Sequence, residues 1–183
     1  MPLRWSHAVL HVRDVETMLD FYTRVLGFEV TDRGPLGEGA GAPEIIFMSQ
    51  VPTDHHQLAF LSAGRGAGRS NTHHHMAFRV SSYDEVRAFA QALERDGRAT
   101  EIEPVTHGNA WSVYFRDPED NGVEIFCDSP FHVSQPKYQP LDISLDEQQQ
   151  RARTVDQFGD DEEFDAIDAW YAKRAEELGR RES

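Results

Sequence analysis

The strongest constraint in this sequence is that it repeats itself. Aligning His7 with His75, 68 positions later, sets Leu10-His11-Val12 beside Phe78-Arg79-Val80. Each of these extended runs leads into an amphipathic helical pattern that stops at a glycine. In the first copy Asp14 is placed as an N-cap, Met18, Leu19, Tyr22, Val25 and Leu26 follow at helical spacing, and Gly27 ends the run. In the second, Ser81-Ser82-Tyr83-Asp84 opens the helix, Val86, Phe89, Ala90 and Leu93 form its apolar face, and Gly97 closes it. Three extended segments follow each helix: Phe28–Val30, Glu44–Met48 and Gln57–Leu61, then Thr100–Ile102, Trp111–Arg116 and Val123–Phe126. Two copies make a tandem duplication rather than a solenoid. The expected fold is therefore α+β: two tandem βαβββ modules, at about 5–62 and 71–128, forming a curved mixed sheet within a domain spanning 1–130.

The remainder, 131–183, differs in character. Ser129–Pro140 reads as extended and contains prolines, and Asp142–Arg153 and Glu162–Leu178 read as helices, the second with Phe164, Ile167, Trp170 and Tyr171 on one side. From Leu141 to Ser183 there are 13 acidic and 6 basic residues, about half of the whole-chain charge of -14. Such a charge repels nucleic-acid phosphates, and no apolar run reaches the roughly 18–20 residues a membrane span needs. A single Cys127 cannot close an internal disulfide, and the amino terminus lacks a secretory apolar region, so a reducing cytoplasm is expected. The acidic extension suggests a solvated surface and no chemistry of its own.

Strand alternation shows which polar residues could converge. His7 lies opposite Ala8, Leu10 and Val12; His75 lies opposite Met76, Phe78 and Val80; Glu124 lies opposite Val123 and Ile125. All three then point to the concave side of a curved sheet, at matching places in the repeat. Two histidines and a carboxylate with open positions suit non-haem Fe(II), with Mn(II) as the neighbouring possibility. In the run His73-His74-His75, adjacent strand residues alternate faces, so His74 and His75 cannot both face inward, and the repeat selects His75. His73 shares that face at the strand mouth. By the same alternation Ser112, Tyr114 and Arg116 face away from Trp111, Val113 and Phe115.

These residues fall into a recognisable pattern. His7-x-x-Leu10-x-Val12-x-Asp14, followed by Phe21-Tyr22-x-x-Val25-Leu26-Gly27-Phe28, resembles the first signature of the vicinal oxygen chelate superfamily, the glyoxalase, bleomycin-resistance and dioxygenase proteins. His75-x-Ala77-Phe78-x-Val80 and Tyr114-Phe115-Arg116-Asp117-Pro118-x-x-Asn121-x-x-Glu124 resemble its second and third. The likeness covers residues 5 to about 130. Within the superfamily the chain is similar to small single-domain type I extradiol catechol dioxygenases. His56-Gln57-Leu58-Ala59 looks like their histidine-bearing strand, and His107 and Tyr114 precede Glu124 as their active-site histidine and tyrosine do. Asp120 departs from the pattern, standing where the family's turn carries glycine; aspartate tolerates a left-handed backbone better than most residues.

The resemblance implies that His7, His75 and Glu124 hold Fe(II), that His56 is the acid–base group, and that Tyr114 and His107 hydrogen-bond substrate oxygens. His55 adjoins His56, and a one-residue slip would exchange them. The implied reaction is ring opening of a catechol-type diol beside its hydroxyls by dioxygen, as in aromatic-compound catabolism. Superfamily likeness also implies a homo-oligomer, a dimer or higher. Two other readings belong to the same superfamily. A glyoxalase I-like lyase or isomerase would take a fourth ligand, for which Gln57 is the candidate. A metal-free protein binding an aromatic drug would have no use for two histidines and a glutamate pointing inward.

Overall fold

The computed structural model describes residues 5–37, 41–62 and 74–181, with side chains as far as 176. It divides into two compact units, 1–74 with 116–121, and 75–115 with 122–183.

The first unit opens with β1 (Ala8–Val12), whose side chains alternate as expected, Val12 buried and Val9 and His11 exposed. Helix α1 (Val15–Arg24) starts at Asp14, whose carboxylate accepts the Thr17 backbone N–H at 3.1 Å. After it the chain turns through Gly27 at φ +80°, a left-handed conformation that glycine adopts without a Cβ penalty. Strands β2 (Glu29–Pro35), β3 (Glu44–Ser49) and β4 (Leu58–Ser62) complete a sheet of order β1-β4-β3-β2, in which β1 and β4 run parallel. Met18, Phe21 and Tyr22 of α1 and Ile46, Met48 and Phe60 of the strands are fully buried. β2 runs five residues beyond the expected Val30, past a register shift at Val30/Asp32. Its far end pairs with β3 as Pro35 against Glu44, and the Arg33 guanidinium grips the Glu44 carboxylate at 2.9 Å.

The turn at 116–121 belongs to this unit. The buried Tyr22 hydroxyl donates to Asp117 at 3.0 Å, and Glu119 accepts the backbone N–H groups of Arg13 and Asp14, each at 2.6 Å. Asp117 also accepts from the backbone of Glu119 and Asn121, closing the turn, and burial pushes its carboxyl above the usual range.

The second unit repeats the plan. β5 (Met76–Arg79) precedes α2 (Tyr83–Asp96), which carries a full capping box between Ser82 and Glu85 and ends at left-handed Gly97. β6 (Thr100–Thr106), β7 (Ala110–Arg116) and β8 (Gly122–Asp128) follow. With β10 (Gln139–Pro140) they form a sheet of order β10-β6-β7-β8-β5, β5 parallel to β8. The mixed sheet read from the sequence is thus two sheets, because the first strand of each module pairs with that module's own last strand.

Beyond β8 the chain forms β9 (Phe131–His132), α3 (Glu147–Phe158), β11 (Asp165–Ala166) and α4 (Ile167–Arg181). Both helices begin five residues later than expected. Asp142 caps a turn, accepting from Ser144, so the helix waits for Asp146 and its capping box with Gln149. Residues 165–166 pair with β9 instead of joining α4. Among the described residues no helix is long and apolar enough to cross a membrane.

Candidate metal centre

In the second unit β5 runs parallel to β8 with Ala77 opposite Glu124. Paired strand residues share a face, and His75 lies two residues before Ala77, so His75 and Glu124 face the same way. Their tips meet: His75 Nε2 stands 3.2 Å from Glu124 Oε2. Two donors bound at roughly 2.1 Å and at right angles to a common ion would be roughly 3 Å apart, so this spacing fits neighbouring metal ligands.

Glu124 is only 7% exposed. The other carboxylate oxygen accepts from the buried Ser112 hydroxyl at 2.7 Å. Tyr114, on the same face of β7 as Ser112, sets its ring edge-on to His75, centroids 5.3 Å apart. Burial and a hydrogen bond to Glu124 hold the Tyr114 phenol far above its ordinary pKa, so it serves as a proton donor in hydrogen bonds at neutral pH.

His107 completes the cluster. Its Nδ1 donates to the Lys137 carbonyl at 2.7 Å, and its Nε2 lies 3.0 Å from the Tyr114 hydroxyl and 4.0 Å from Glu124 Oε1. A carbonyl only accepts, so Nδ1 carries the hydrogen of that bond. The left-handed Gly108 lets the chain turn directly after it; a Cβ there would collide with Val133.

The other two sequence candidates lie in the first unit. His7 is exposed, and its ring packs on His56 with centroids 4.2 Å apart. Burial, then the nearby charges of His7 and His55, draw the His56 pKa below its ordinary value. His55 packs edge-on to Phe47 and borders a hollow of about 490 Å³ with Asp54 and Thr53. Gln57 is committed elsewhere, its side-chain oxygen accepting the Gln50 backbone N–H at 2.9 Å.

The structure therefore brings His75, Glu124, Tyr114 and His107 together in one unit and His7 and His56 together in the other. Among the described residues no group of three or more His, Cys, Asp or Glu side chains is arranged to take a metal ion. His74 is exposed, and His73 lies outside the described residues. Sequence reasoning missed two supports. Ser112 was legible as a neighbour of Tyr114 on one face, but its bond to Glu124 depends on how β7 and β8 meet. The Lys137 carbonyl left no signal, since any residue carries one.

Comparison with known proteins follows the same lines. Residues 4–125 match the family model described as the glyoxalase/bleomycin resistance protein/dioxygenase superfamily. Metapyrocatechase of Pseudomonas sp. (strain CF600) is 23% identical over 74% of this chain, which spans 42% of that relative's length. Biphenyl-2,3-diol 1,2-dioxygenase 2 of Rhodococcus globerulus is 27% identical over 78% of this chain and 77% of its own. Among solved structures, the fosfomycin resistance protein FosX of Listeria monocytogenes, complexed with Mn(II), superposes with a TM-score of 0.53 at 19% identity. The match covers 70% of this chain and 95% of FosX. At that identity the likeness carries the fold alone. The match over two thirds of its length places this chain in the glyoxalase/bleomycin resistance protein/dioxygenase superfamily.

Proposed function

We propose that this protein is an Fe(II)-dependent extradiol dioxygenase that opens a catechol-type aromatic diol with both atoms of dioxygen. The observation that carries the reading is the His75–Glu124 pair at 3.2 Å, flanked by Tyr114 and His107. Relatives named for catechol and biphenyl-diol cleavage support it. His75 and Glu124 would hold the ion, with His7 as the third ligand that the family pattern assigns. When bound, the ion supplies a template and a Lewis acid for diol and dioxygen. Mn(II) is the alternative occupant, since nitrogen and carboxylate donors serve both.

The chain's own groups then take distinct parts. His56 receives a proton from a diol hydroxyl and later returns it; its lowered pKa favours the unprotonated ring that accepts first. His56 rather than His55 is assigned because its ring packs on His7, whereas His55 borders a separate hollow. Tyr114 donates to a substrate oxygen. His107, fixed by the Lys137 carbonyl, sets its Nε2 beside the Tyr114 hydroxyl, where it accepts a hydrogen bond from a hydroxyl of the diol. Gln57 has no ligand part, its oxygen being bonded within its own loop.

Protein reconstituted with Fe(II) without air, then mixed aerobically with catechol, methylcatechols and 3-phenylcatechol, should give yellow ring-fission products. Nickel-dependent turnover of a thiohemiacetal, with no ring fission, would move the protein to glyoxalase chemistry.

A further inference from the structure

The extension beyond Asp128 suggested no chemistry in the sequence, yet it grips the turn that carries His107. That turn joins β6 to β7, with the His107 N–H donating to the Ala110 carbonyl at 2.9 Å. The Ser129 hydroxyl donates to the Gly108 carbonyl, and the Ser129 N–H donates to the Asn109 carbonyl at 3.0 Å. The chain then returns to the same turn further on, entering β10 where Gln139 pairs with Thr106.

Between these anchors, Gln135 uses both ends of its side-chain amide. Its Nε2 donates to the His107 carbonyl at 2.8 Å, and its Oε1 accepts the Lys137 N–H at 3.0 Å. The partners fix the orientation of the amide, since a carbonyl only accepts and a backbone N–H only donates. The Lys137 carbonyl in turn receives His107 Nδ1 at 2.7 Å. The circuit closes on itself: from the His107 backbone to the Gln135 amide, to Lys137, and back to the His107 ring. Asp161 braces it from behind, pairing with Lys137 at 2.8 Å and accepting from the Ser134 N–H and hydroxyl.

Gln135 is exposed, and hydrogen bonds that exchange with water add little net stability. What the circuit fixes is a direction. With Nδ1 held by Lys137, Nε2 stands 3.0 Å from the Tyr114 hydroxyl. A ring free to turn about its side-chain torsions would lose that aim, and binding would have to offset the freedom lost on ordering it.

We propose that Gln135 is a positioning residue, which acts on the diol through His107 by setting the Lys137 carbonyl against Nδ1. This rests on the functional reading above. Both ends of the amide are taken, so its influence passes through the His107 ring. Glutamine suits the place because one amide offers a donor and an acceptor together. Glutamate would set a carboxylate against the His107 carbonyl, and methionine would fill the same space with neither hydrogen bond.

The test is anaerobic calorimetry of the Fe(II)-loaded full-length protein with catechol. Gln135→Glu and Gln135→Met should bind catechol about three- to tenfold more weakly than wild type, the size of one net hydrogen bond. Their iron content and melting temperature should match wild type. In a His107→Asn background the same substitutions should cause no further loss, a coupling that general support of the fold would not produce. Undiminished binding in both variants, or the same loss again in His107→Asn, overturns the positioning role while leaving the dioxygenase reading standing. A loss that tracks lowered melting temperature or iron content overturns it equally. Failure of wild type to bind catechol overturns the dioxygenase reading, and this inference with it.

Discussion

A carboxylate buried as deeply as Glu124 costs several kcal/mol of lost hydration unless other groups replace the water. Ser112, Tyr114 and His75 do so, and each arrives from a strand position fixed by alternation. Strand alternation already set Glu124 on the face opposite Val123 and Ile125 and grouped it with His75. It did not name Ser112, whose bond to Glu124 depends on how β7 and β8 meet. Ser112→Ala should leave the fold intact and weaken Fe(II) binding by about 10–100-fold, the usual penalty for loosening a ligand's support, as read by competition with a chelator. Unchanged affinity would mean that Ser112 does not orient the ligand. Asp120 is the other residue whose reading met a specific observation: it stands in the left-handed region at φ +68°, where the family's turn has glycine. Asp120→Val should lower stability by about 1–2 kcal/mol, since a β-branched residue fits that backbone poorly, whereas Asp120→Gly should be close to neutral. Thermal melts of the two variants check this, and equal melting temperatures would contradict it.

At the scale of elements, both modules were legible because a strand of period two and a helix of period 3.6 write themselves into the apolar pattern. Their ends were less so. β2 overran its expected limit because pairing with β3, and not local preference, decides where it stops. In the extension two aspartates compete to start α3; Asp142 is taken up in a turn with Ser144, while Asp146 makes the capping box with Gln149. The contacts that hold α4 were partly foreseen: Phe164 stacks on Phe131 and Trp170 on His132, at 5.1 and 4.6 Å between centroids. Asp161 ties this segment to residues 134–137. It accepts from the Ser134 N–H and hydroxyl and pairs with Lys137 at 2.8 Å, and these bonds hold its carboxyl far below the usual range. A carboxyl depressed in the folded state adds stability that is present above its unfolded pKa of roughly 3.9 and is lost as pH falls through the folded value. Melting temperature should therefore fall on acidification below about pH 4. Asp161→Asn should make that fall shallower, and an identical acid limb in the variant would refute the role given to this carboxylate.

For the whole molecule, the internal repeat carried the fold and the superfamily, because duplication leaves the same pattern twice and each copy checks the other. It carried less of the site. His7 and His56 fall in one unit and His75, His107, Tyr114 and Glu124 in the other, and a repeat says where equivalent residues lie, not what a third segment adds to them. The extension's hold on His107 comes from the Lys137 carbonyl and from the Tyr138 ring that meets it edge-on, neither of which a motif records. The most direct test of the account is metal content after anaerobic reconstitution, measured on wild type, His75→Ala, Glu124→Ala and His74→Ala. About one Fe(II) per chain in wild type and in His74→Ala, with little in the other two, is the predicted result. Wild type that takes up neither iron nor manganese, or His75→Ala and Glu124→Ala proteins that keep their iron, would contradict it.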